Sequence, residues 1–229
     1  MSKMISYTRP DGKTVQAYLA EPEGSSAAPG IVVLQEWWGL NEQIKHVADR
    51  FAASGYSALV PDLYRGKLTV EAEEAEHLMK DLDFADAAGQ DVRGAVQYLK
   101  SSGSAKVGVT GFCMGGALTV LSSMYVPEAD AAAIWYGYPP LDYIDASKIH
   151  IPLIGHWATR DDAFPIAGVD TFEEKLTAAG VAFDFFRYDA KHAFANEEAN
   201  AKNLPFLKYE PAAAELAWQR TLDFFSRQL

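Results

Sequence analysis

The pentapeptide Gly111-Phe112-Cys113-Met114-Gly115 fits the pattern G-x-nucleophile-x-G, with Cys113 where serine is usual. A nucleophile on a tight strand-to-helix turn sits in a strained backbone conformation, and side chains two residues to either side would collide. Glycine at both flanking positions relieves that collision. Such a turn lifts the sulfur above the sheet edge and aims the backbone N–H of Met114 at a developing oxyanion. The positive end of the following helix also favours thiolate over thiol. A buried structural cysteine beside packing glycines is the simpler alternative. The apolar strand before the motif and the helical pattern after it favour the nucleophile.

A nucleophile on such a turn needs a base, and the base needs an orienting carboxylate. Among the five histidines, His46 and His77 lie on helical segments before the turn, and His150 precedes a strand. His156 stands near a strand's C-terminal end and is the second choice. His192 follows the strand 181–188 and precedes the last helix, which is the address expected of the base. Asp161 and Asp162 both follow the strand 151–156, and spacing alone does not separate them. Asp189 is too close to His192 in sequence to face it easily. Asp62, in Pro61-Asp62-Leu63-Tyr64, reads as a turn cap.

The elements that must carry these residues alternate along the chain. Strands are expected at 14–21, 30–35, 56–60, 105–110, 131–136, 151–156 and 181–188. Helices are expected after Asn41, which caps the first, then at 86–100, after Cys113, at 166–179 and at 210–228. Residues 70–83 are acidic and read as a surface helix or loop. No repeat or linker interrupts the alternation, so residues 1–229 are expected to form a single α/β domain. Its sheet should be mostly parallel, with helices on both faces. Ligands of such sheets bind beyond the strands' carboxyl ends. Tyr136, at the C-terminal end of an expected strand, is a candidate for the pocket wall.

The 229 residues are 49% hydrophobic and carry 20 Lys and Arg against 31 Asp and Glu, a formal charge of −11. That balance argues against nucleic acid and anionic membranes as partners, because phosphate affinity rests on clustered cations. The single cysteine excludes an intrachain disulfide. With no apolar run of membrane-spanning length and no secretory leader in MSKMISYTRPDGK, the expectation is a soluble cytoplasmic protein, a monomer or weak homo-oligomer. No cluster has metal-ligand spacing, and GFCMGG lacks the phosphate-loop lysine, so no metal and no cofactor are expected.

The chain resembles the dienelactone hydrolase (carboxymethylenebutenolidase) family of α/β-hydrolases over nearly its whole length. The resemblance is carried by Gln35-Glu36-Trp37-Trp38-Gly39-Leu40-Asn41, Val60-Pro61-Asp62-Leu63-Tyr64, Gly111-Phe112-Cys113-Met114-Gly115-Gly116, Arg160-Asp161-Asp162-Ala163-Phe164-Pro165 and His192-Ala193-Phe194. It implies a triad of Cys113, Asp161 and His192, with Asp161 chosen because the family's acid stands four residues before a proline. It also implies that Glu36 contacts the resting cysteine and is displaced by substrate, and that the N–H of Trp37 is the second oxyanion donor. The implied activity is cleavage of a small ester or lactone. A general carboxylesterase or thioesterase, and a ligand-binding protein on a hydrolase scaffold, are the alternatives.

One departure stands out. The best-known members hold a substrate carboxylate with two arginines, one in the helical segment after Pro-Asp-Leu-Tyr and one four residues past the histidine. Here the later position is Asn196, and 69–91 contains no arginine. Asparagine cannot supply that charge. Arg65 and Arg160, though off the matching positions, are the remaining candidates to meet the substrate.

Overall fold

The apolar runs pair into one eight-stranded sheet, in the order β1-β2-β4-β3-β5-β6-β7-β8. The computed structural model describes residues 1–24 and 27–229. The strands are β1 (Ser2–Thr8), β2 (Thr14–Ala20), β3 (Gly30–Leu34), β4 (Ser57–Pro61), β5 (Val107–Phe112), β6 (Ala131–Trp135), β7 (Leu153–Ala158) and β8 (Phe183–Tyr188). The β1–β2 and β2–β4 pairs are antiparallel, and the other five pairs are parallel.

The helices are α1 (Glu42–Ala53), α2 (Ala72–Asp81), the short α3 (Phe84–Asp86), α4 (Arg93–Ser101), α5 (Met114–Tyr125), α6 (Ile166–Ala179) and α7 (Pro211–Gln228). A π-helical turn, Ala87–Val92, joins α3 to α4. Asn41 caps α1 by accepting from the N–H of Ile44 at 3.1 Å. The acidic stretch at 70–83 resolves into α2.

Alternation along the central strands sorts side chains onto two faces. On β3, Ile31 and Val33 join the core under α1 and α7, while Val32 and Leu34 join the core under α4 and α5. The first of these cores is tied by Phe51, whose ring lies 4.5 Å from Trp218 and 6.2 Å from Phe225. Fully burying each such side chain contributes roughly 1.5–3 kcal/mol. A third core packs Val169, Phe172 and Leu176 of α6 against Trp157 and Ile134.

Several elements differ from expectation, among them the segment 86–100, most of which is the π-helical turn followed by α4, and β8, which starts two residues late. Strand β1 has no apolar alternation to announce it, since only Tyr7 is buried. It forms because the turn Arg9–Lys13 folds it back onto β2. Strand β5 runs through Phe112, two residues further than its apolar run, because Gly111 and Phe112 continue the ladder with β6. Strand β7 starts and ends two residues late, since Pro152 cannot donate to a ladder. That shift draws His156 into the interior of the strand.

Candidate active site

Cys113 takes φ 56° and ψ −116°, the backbone of a sharp turn between β5 and α5. A non-glycine residue held there is strained, and close neighbours keep it in place. A Cβ on Gly111 would strike the Gly115 carbonyl, and one on Gly115 would strike the carbonyl of Leu34. A third glycine, Gly137, lies so close that a Cβ would collide with the Cys113 carbonyl. The turn is locked by Cys113 N–H donating to the Trp135 carbonyl at 3.0 Å. Met114 opens α5, so its N–H has no acceptor within the helix and faces the same end of the sheet.

His192 and Asp161 arrive from the loops after β8 and β7. The His192 Nδ1 lies 2.8 Å from Asp161 Oδ2, and both side chains are buried. Asp161 Oδ1 is fixed in turn by the N–H groups of Ala163 and Phe164 at 2.8 and 2.9 Å. A bridge to Leu207 pins the histidine loop, with Lys208 N–H donating to the His192 carbonyl. Asp162, next to Asp161, points to solvent. With Nδ1 taken by the acid, Nε2 remains for Cys113. Burial disfavours the imidazolium, but interaction with Cys113 and then the bond to Asp161 outweigh it, raising His192 to about 10.

His156, the other candidate base, lies within β7 with no exposed surface. Its Nδ1 is 2.9 Å from the Tyr188 hydroxyl and its Nε2 is 2.8 Å from the Thr221 hydroxyl. Arg220 donates to the Tyr188 oxygen, so that hydroxyl gives its proton to Nδ1, and Nε2–H donates to Thr221. Desolvation, then the charge of Arg220, depress His156 from 6.5 to about 3. The fold therefore prefers the neutral ring. Its contribution is complete above the unfolded value near 6.5 and is lost as pH falls towards 3. At about 1.4 kcal/mol per pH unit, acidification from pH 7 to 5 should cost about 2 kcal/mol through this residue alone. Urea unfolding at the two pH values should show that loss in the wild type and a smaller loss in His156→Gln. Equal losses would mean that His156 is not the acid-sensitive group.

Glu36 follows β3 and is buried beside the histidine. Tyr136 donates to its Oε1 at 3.2 Å and Asn196 donates to its Oε2 at 2.6 Å. Desolvation raises the carboxyl above the usual range, against the lowering effects of His192, Asn196 and Tyr136. Tyr136 also sets its ring edge-on to His192 at 5.3 Å. Phe164 covers His192 from another side, 5.4 Å between ring centres. Trp37 is half-buried and, like Cys113, packs against both of the main cores.

The expected substrate contacts fall elsewhere. Asn196 is 1% exposed and committed to Glu36, so it does not present its amide to an open subsite. Arg65 is drawn away by the buried carboxylate of Asp91, which it meets at 2.8 and 2.9 Å, and it also donates to the Asp62 carbonyl. Arg160 lies half-exposed against Asp189, with Nε 2.7 Å from its carboxylate. Asp62 closes its own turn, accepting from the N–H groups of Tyr64 and Gly66. Gly137 and Phe164 carry no functional signal by residue type. Only their positions, after β6 and inside the Asp161 segment, could have flagged them.

Among the described residues, no group of three His, Cys, Asp or Glu is placed to hold a metal ion. No helix among them is long and apolar enough to cross a membrane.

The mostly parallel sheet, the strained residue at the β5–α5 turn and an imidazole–carboxylate pair on the loops after β7 and β8 define an α/β-hydrolase. Residues 15–229 match the model of the dienelactone hydrolase family, and the chain belongs to that family, a carboxylic-ester hydrolase. It is 33% identical to the protein usf of Aquifex pyrophilus over the full length of both chains. It is also 33% identical to a protein of Methylorubrum extorquens provisionally named carboxymethylenebutenolidase, covering 92% of this chain and 76% of that one. Among solved structures, a provisionally assigned dienelactone hydrolase from Klebsiella pneumoniae superposes with a TM-score of 0.84 at 26% identity, covering 99% of both chains.

Proposed function

We propose that the protein hydrolyses a small ester or lactone through an acyl-enzyme on Cys113, with His192 as base and Asp161 as its orienting acid. One observation carries this reading: the only thiol sits at a strained strand-to-helix turn, close enough to act on an imidazole whose Nδ1 is held 2.8 Å from a buried carboxylate. The sulfur attacks the carbonyl carbon, and the N–H groups of Met114 and Trp37 receive the oxyanion. Collapse expels the alkoxide, which takes a proton from His192. Acylation removes the negative charge from sulfur, and with it the strongest influence holding the imidazole charged. Burial then favours neutral imidazole, which takes a proton from the water that releases the acid.

Glu36 has a supporting role in this reading. Asn196 and Tyr136 hold its carboxyl, so the pair Cys113 and His192 needs no substrate charge to free it. The substrate therefore need not be anionic. Turnover of a panel of lactones and esters, each with and without a carboxylate, tests this. Neutral members should be hydrolysed at least as well as their anionic counterparts. A strong preference for the carboxylate-bearing lactone would restore the family's better-known specificity and defeat this part of the reading. Absence of turnover across the panel would defeat the hydrolytic role itself.

A further inference from the structure

A cleft of about 400 Å³ opens beside the Cys113 turn, between α2, α3, α5 and the loop that follows β6. Its walls include Met79, Phe84, Leu121, Tyr138, Pro140 and Tyr143, and no residue lining it carries a charge. The volume is within the range of small-molecule sites, which are mostly apolar. Two residues join it to the chemistry. Met114 lines the cleft and also supplies the first N–H of α5. Phe164 lines it too, packs on His192 at 5.4 Å and belongs to the turn that holds Asp161.

The wall is built rather than incidental. The Tyr138 hydroxyl donates to the Pro165 carbonyl at 2.9 Å, tying the loop after β6 to the acid loop. Tyr138 and Phe164 meet edge-on at 5.4 Å. Gly168 lies under Tyr138, where a Cβ would collide with the hydroxyl. Tyr143 stands at the rim, 68% exposed, an apolar ring left in water when the cleft is empty. The two candidate arginines for an anion are both occupied, Arg65 by Asp91 and Arg160 by Asp189. A net charge of −11 gives an anion no long-range attraction.

We propose that this cleft binds the hydrocarbon part of an uncharged ester, and that apolar burial there, rather than a cation, sets the enzyme's specificity. The proposal rests on the reading of Cys113 as the nucleophile. Each methylene buried is worth about 0.8 kcal/mol, or about fourfold in kcat/KM. The p-nitrophenyl esters of acetate, butyrate and hexanoate should therefore rise in kcat/KM by about fourfold per methylene until the cleft is filled. The mono-p-nitrophenyl ester of adipate, which ends in a carboxylate, should fall at least tenfold below the hexanoate.

Phe84→Asp and Tyr143→Asp, at exposed or partly exposed positions, should flatten the series, lowering the hexanoate-to-acetate ratio of kcat/KM at least about tenfold. A flat wild-type series, or a series unchanged in both variants, would overturn the proposal. Binding of hexanophenone, an unreactive ketone, separates the two readings. It should bind the wild type and bind both variants at least about tenfold more weakly. Binding of equal strength to all three proteins would overturn the cleft assignment even if esters are hydrolysed. Hexanophenone binding of the expected kind with no ester turnover would instead remove the nucleophile reading alone.

Discussion

Replacing Cys113 by alanine is expected to lower kcat by at least about 10³-fold, the scale on which a triad nucleophile acts. Cys113 is the only thiol in the chain, so no second thiol can substitute. The loss should appear without loss of fold. The alanine side chain is smaller, and the strain at φ 56° is set by the Gly111, Gly115 and Gly137 contacts rather than by the sulfur. One equivalent of a thiol alkylator should abolish activity in the wild type, and a substrate analogue should protect it. Steady-state kinetics with a matched circular dichroism spectrum checks both points. A Cys113→Ala protein with near wild-type turnover would remove the nucleophile from the account.

The second large effect is at the acid. Asp161→Asn should cost on the order of 10⁴-fold in kcat, because a neutral amide favours the wrong imidazole tautomer and cannot stabilise the imidazolium. Asp162→Asn, one residue later and facing solvent, should stay within about threefold. His192→Ala should match the Asp161 loss or exceed it. The contrast between adjacent aspartates matters more than either value, since a general disturbance of the loop would affect both. Kinetics of the two variants side by side would show it, and the reverse pattern would place the acid at Asp162.

The parts of this protein that are legible from sequence are those with a local cause. The Cys113 turn is written in two glycines, and the parallel sheet in apolar runs such as Gly30–Leu34, buried on both faces. The loops bearing Asp161 and His192 follow from strand polarity, because parallel strands deliver their C-terminal loops to one edge. What escapes is set by partners distant in the chain. Asn196 meets Glu36 across 160 positions, and nothing near either residue announces it. Arg65 turns to Asp91 because the π-helical turn brings a buried carboxylate within reach. Strand β1 is likewise fixed by pairing with β2 rather than by its own pattern. The two-residue offset of β7 arises from Pro152, and it decides whether His156 is a surface base or a buried neutral ring.

During turnover an acyl group is expected to rest covalently on Cys113. Acid-quenched mass spectrometry of the enzyme mixed with p-nitrophenyl acetate, within the first turnover, measures this directly. The expected result is one added acetyl group per chain, on the peptide that contains Cys113, disappearing as substrate is exhausted and absent from Cys113→Ala. Steady hydrolysis with that peptide unmodified, or with the acetyl group on another residue that Cys113→Ala still labels, would contradict it.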